Sequence, residues 1–183
     1  MTESESRSQK VLLVVISAKA AKLKRMKTII LGIGNTLLSD EGVGIHVLDA
    51  LARTTLPQDG VVDLVDGGTL SFTLAVAIEE ADSLIVVDAA QLKSPPGTLR
   101  LFRGEEMDQF LMGRKKSSVH EVGLADLMAI AQLTERWPQR RALVAIQPEK
   151  LDWGGEPTPP VQSAIPEACR RIEALVKEWH AAH

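Results

Sequence analysis

Apolar positions along the chain fall into two alternating rhythms. Thr28 to Ile33, Val61 to Val65, Leu84 to Val87, Thr98 to Phe102 and Ala142 to Ile146 are short, β-branched-rich runs that read as strands. Between and after them the spacing becomes helical: Val43, Val47, Leu48 and Leu51; a segment from about Leu70 to Glu80; a short one over Glu105 to Met112; Leu124, Leu127, Met128 and Ile130; and from about Thr158 the stripe Val161, Ile165, Ala168, Ile172, Leu175, Val176 and Trp179. Pro166 falls inside that last stripe and is expected to kink or restart the helix. Leu84-Ile85-Val86-Val87 has no polar alternation, as in a strand covered on both faces, whereas Leu99 and Leu101 alternate with Arg100, as at a sheet edge. Strand-helix alternation of this kind predicts an α/β fold in three layers: a twisted, mostly parallel sheet of about five strands with one edge strand, and helices on both faces.

The joints between these elements carry the candidate chemistry. The first strand runs through Gly32-Ile33-Gly34 into the polar turn Asn35 to Glu41 before the helix at Val43. Ser39 or Asp40 is placed to cap that helix, and the carboxylates of Asp40 and Glu41 suit the positive end of its dipole. The same pair is also well placed to hold a metal or move a proton, because ligands of open α/β sheets bind beyond the C-terminal ends of the strands. Gly32 and Gly34 begin a dinucleotide fingerprint, but Leu37 stands where its third glycine belongs, so that reading is declined. The second strand ends at Asp66-Gly67-Gly68-Thr69, where Asp66 suits a turn that bonds its own downstream backbone and Thr69 or Ser71 suits a helix cap. The third strand ends at Asp88. Three acidic strand ends on one edge form a crevice that is costly unless a cation or protons occupy it. His120 opens a later helix; its His-Glu pair lacks the second histidine of a zincin, since Leu124 holds that position. Glu41, Asp88 and His120 together supply two carboxylates and an imidazole, a donor set that fits nickel or zinc.

Composition narrows the classes. The chain has 183 residues, 45% hydrophobic and 25% charged, with a formal net charge of −3, so no basic stripe points to nucleic acid. Its one cysteine, Cys169, excludes an internal disulfide framework and fits a reducing cytoplasm; its place beside the last helical stripe makes it core filler. Val11 to Ile16 is too short to span a bilayer, and residues 1–25 read as a leader outside a single domain over residues 26–183. The charges of Arg114, Lys115 and Lys116 read as a solvated loop.

Several segments taken in order resemble the motifs of the nickel-iron hydrogenase maturation endopeptidases. They are Gly32-Ile33-Gly34-Asn35, Ser39-Asp40-Glu41-Gly42-Val43-Gly44, Asp66-Gly67-Gly68-Thr69, Val87-Asp88-Ala89, Pro96-Gly97-Thr98-Leu99, Ser118 to Leu124 and Gln147-Pro148-Glu149. The resemblance extends from Met26 to about Trp179. It implies that Glu41, Asp88 and His120 bind metal, that Asp40 matches an acid implicated in function and is the candidate catalytic residue of an aspartyl-type endopeptidase, and that Asp66, Gly67, Gly68 and Thr69 form a supporting turn. It also implies the reaction: removal of a C-terminal extension from a hydrogenase large-subunit precursor after nickel insertion. The nickel is supplied by that precursor, and other divalent metals are expected to occupy the site in vitro. A cytoplasmic monomer with neither nucleic-acid nor membrane partners is expected. Two rivals stand beside it: a nickel-sensing, metallochaperone-like protein that uses the same three ligands and does not cut, and a different hydrolase on a similar sheet that takes a small substrate in a pocket.

Overall fold

A computed structural model describes residues 26–56, 61–68, 73–113 and 119–182, with the backbone alone for residues 73 and 119–122. The expected leader, the turn at Pro57 to Gly60, Thr69, Ser71 and the basic loop at 114–118 lie outside the described residues.

Among the described residues five strands form one sheet in the order β2-β1-β3-β5-β4: β1 Lys27–Ile33, β2 Val61–Gly68, β3 Ser83–Ala89, β4 Leu99–Arg103 and β5 Arg140–Ile146. The first four in that order run parallel, and β4 closes one edge antiparallel to β5, with Leu99 opposite Ile146 and Arg103 opposite Ala142. The mostly parallel sheet with a half-polar edge strand is therefore as the apolar pattern predicts. The central strands β1, β3 and β5 are buried almost throughout, which is why their sequences show continuous apolar runs instead of alternation.

The sheet separates two cores. On one face Ile30, Ile85 and Val144 pack against α1 (Val43–Leu51) and the long α5 (Pro159–Ala181) through Val47, Leu51, Ile172 and Val176. On the other, Leu31, Leu84 and Leu143 pack against α2 (Thr73–Glu79), α3 (Glu105–Met112) and α4 (Val119–Leu133) through Ile78, Met107, Leu124 and Met128. The three-layer arrangement follows from strands whose successive side chains point to opposite faces, each needing cover.

Pro166 does not restart the last helix, which runs unbroken from Pro159 to Ala181. Both Pro166 and Gln162, whose carbonyl loses its helical donor to the proline ring, are exposed, so water can satisfy the freed oxygen.

Candidate functional site at the strand ends

Because β2, β1 and β3 are adjacent and parallel, their C-terminal ends share one edge. That brings the segments bearing Asp66, Asp40 with Glu41, and Asp88 to the same side of the molecule. The crossing from β1 to α1 is made backbone on backbone. Gly34 has φ +139°, and a Cβ there would strike the carbonyl oxygen of Glu41. At Gly44 a Cβ would run into the carbonyl oxygens of both Ile33 and Val87. The first turn of α1 thus sits directly over the ends of β1 and β3, one residue before Asp88.

Ser39–Gly42 forms a short 3-10 helix ahead of α1, with Ser39 at φ +50°. Neither Ser39 nor Asp40 caps α1, contrary to expectation: Gly42 occupies the N-cap position, with no side-chain cap hydrogen bond. The Ser39 hydroxyl instead donates to the carbonyl of Glu156 at 3.0 Å. Asp40 is 0% exposed and turns toward the loop joining β5 to α5. Its Oδ2 accepts the amides of Glu149 at 2.8 Å and Lys150 at 2.9 Å and the hydroxyl of Thr158 at 2.9 Å, while Oδ1 accepts the amide of Thr158 at 2.6 Å. Burying a carboxylate is expensive unless donors replace its water, and these four do so.

The same loop is stitched to the turn through its backbone. Gly154 donates to the carbonyl of Leu37 at 3.0 Å and accepts the amide of Ser39 at 2.6 Å, pairing Leu38 with Gly154 as a short parallel bridge. The partnership was missed in the sequence. Its one available signal was Thr158 ahead of Pro159 and Pro160, the pattern of a helix start; yet Thr158 gives its hydroxyl to Asp40 and not to the helix it begins.

The remaining candidates divide by environment. Glu41 is half-buried and Asp88 is buried at the end of β3. Asp66 is exposed, and its Oδ1 accepts the amide of Gly68 at 2.8 Å, the local turn expected of it; Gly67 and Gly68 complete β2. His120 is the second residue of α4, in its first turn as expected, and its imidazole lies outside the described residues. Among the described residues no three His, Cys, Asp or Glu side chains are grouped to hold a metal ion. Cys169 is buried on α5 near the carbonyl of Val47, and that burial, with the nearby Glu173 carboxylate, pushes its thiol above the usual range, so it is poorly suited to be a nucleophile. No described helix is long and apolar enough to cross a membrane.

The fold is that of an α/β protein whose sheet has acids beyond three adjoining strand ends, and comparison with known proteins identifies the family. The family model described as hydrogenase maturation protease matches residues 45–175. The chain is 38% identical over 154 residues to the hydrogenase expression/formation protein HupD of Bradyrhizobium diazoefficiens, covering 84% of this chain and 79% of that one. It is 34% identical over 154 residues to the hydrogenase 2 maturation protease of Escherichia coli, covering 84% and 92%. The solved structure of the hydrogenase maturating endopeptidase HybD from E. coli aligns with a TM-score of 0.77 at 34% identity, over 84% of this chain and 93% of that one. The chain belongs to the hydrogenase maturation proteases and is a peptidase.

Proposed function

We propose that the protein removes a C-terminal extension from the large-subunit precursor of a nickel-iron hydrogenase once that precursor carries nickel. In this reading Glu41, Asp88 and His120 offer two carboxylates and an imidazole to the nickel of the substrate, so that only a metallated precursor is held across the strand ends. A divalent metal in contact with a peptide carbonyl or a water supplies Lewis acidity. The chain's own residues hold the substrate: Glu41 from the turn above β1, Asp88 from the end of β3, and Asp66 from the rim, where the amide of Gly68 fixes its carboxylate.

The observation that carries the reading is the packing of Gly44 on the carbonyls of Ile33 and Val87, which seats the Glu41 turn over the strand that delivers Asp88. Asp40 stood as the expected proton carrier of an aspartyl-type mechanism. Its buried carboxylate, already accepting three amides and a hydroxyl, supports an anchoring role instead.

Mass spectrometry of precursor before and after incubation tests the proposal. Nickel-loaded precursor should lose the mass of its C-terminal peptide and nickel-free precursor should stay intact; loaded precursor that keeps its mass sinks the reading. His120→Ala and Glu41→Gln should each abolish processing with the circular dichroism spectrum unchanged, whereas a non-cutting nickel sensor would bind loaded precursor without shortening it.

A further inference from the structure

We infer that Asp40 is a positioning residue: a latch that locks the loop between β5 and α5 onto the β1–α1 turn and so fixes Glu41 for the reaction without exchanging a proton in it. The inference rests on the protease reading above and adds to it the part played by a second loop.

Asp40 and Glu41 are consecutive in the 3-10 helix, so whatever holds one backbone holds the other. The hold is multiple. The carboxylate of Asp40 gathers Glu149, Lys150 and Thr158, its own amide donates to the carbonyl of Lys150 at 3.3 Å, and the adjoining Ser39 is bonded through both amide and hydroxyl to Gly154 and Glu156. Each end of the loop is therefore gathered at one buried point. A 0% exposed carboxylate so occupied has no free face toward a substrate, and three of its four donors are backbone amides, which cannot relay a proton onward.

What the latch fixes is more than Glu41. The captured loop carries Leu151 and Trp153, 51% and 73% exposed, and the turn it is bonded to carries Leu37, 59% exposed. Fixing the loop thus sets an apolar rim at the same time as the acidic floor. Misplacing a binding group by about 1 Å can cost roughly a hundredfold in rate, so a latch remote from the scissile bond can still govern turnover.

Amide hydrogen exchange on the protein alone, paired with processing kinetics on nickel-loaded precursor, tests the inference. Asp40→Asn presents an NH2 group to donors, and the amides of Glu149, Lys150 and Thr158 should exchange about tenfold faster or more while the central strands stay protected. Processing should fall about tenfold or more in kcat/KM, with the shape of its pH profile retained. Thr158→Val, which deletes one donor and leaves Asp40 in place, should weaken both readouts in the same direction, and Thr158→Ser should restore them; this pair decides the matter if Asp40→Asn does not fold. The inference is overturned if Asp40→Asn keeps the loop protected yet loses turnover together with one limb of the pH profile, the mark of a proton carrier, or if it processes precursor like the parent protein. Wild-type protein that cuts nothing refutes the protease reading instead, and the exchange measurement then judges the latch by itself.

Discussion

Gly44 touches two strands at once, and its lack of a side chain is what allows α1 to begin where it does. Gly44→Ala forces a methyl group against two backbone carbonyls, neither of which can rotate away as a side chain would. The expected loss is about 3 kcal/mol, the upper part of the range for overpacking, read as a lowered midpoint in urea. Cys169 makes the opposite case, a reactive atom type in an inert setting. Its thiol is pushed up by burial, so the folded state favours the protonated form; the associated stability is present below the unfolded-state value and is lost as pH rises through the folded-state one. Iodoacetamide at about pH 9 should therefore label Cys169 slowly in the native protein and quickly in denaturant. Cys169→Ala should process precursor at the parental rate while costing about 1 kcal/mol of stability for the lost packing. Loss of activity in that variant would mean that the thiol takes part in the reaction.

Among the elements, α5 carries the feature most at odds with its surroundings. Pro166 removes a donor from a helix interior, a defect tolerated because it faces solvent. Pro166→Ala should restore that hydrogen bond and, after the entropy returned to the unfolded chain is counted, stabilise the protein by about 1 to 2 kcal/mol, or roughly 3 to 6 °C in Tm. A fall in Tm would mean that the ring itself is packed. The strands and most helices were legible because burial on both faces or on one leaves a period in the residues: Leu84 to Val87 announces a central strand, and Leu99-Arg100-Leu101 an edge. The loop from Gln147 to Thr158 was not legible in the same way. Its ties to the turn at Ser39 and Asp40 run through backbone amides of Glu149, Lys150 and Gly154, and a backbone amide is the same at every residue. Asp40 therefore read as a cap or a catalyst from its neighbours in sequence, while its partners lie 109 to 118 residues away. Glu41, Asp88 and His120 stood out as residue types, and it was the expected topology together with family likeness, more than spacing, that joined them into one proposed set.

For the molecule as a whole, the sheet is the shared wall of two cores, and neighbouring residues of one strand serve different sides. Ile30 belongs to the core beneath α1 and α5, Leu31 to that beneath α2, α3 and α4. Ile30→Ala and Leu31→Ala should each cost about 2 to 5 kcal/mol and each shift a single unfolding transition, because neither layer can detach and leave β1 with a bare face. Two separated transitions in a calorimetric scan of either variant would show that the layers melt independently.

The bridge between Leu38 and Gly154 means that these strand ends cannot be transplanted piecemeal into another scaffold. Neither segment is a self-sufficient module: the early one leaves a buried acid without donors if copied alone, and the late one leaves its amides without an acceptor. Chimeras between relatives should accordingly succeed when both pieces come from the same parent and fail when the parents are mixed, however similar the individual sequences look.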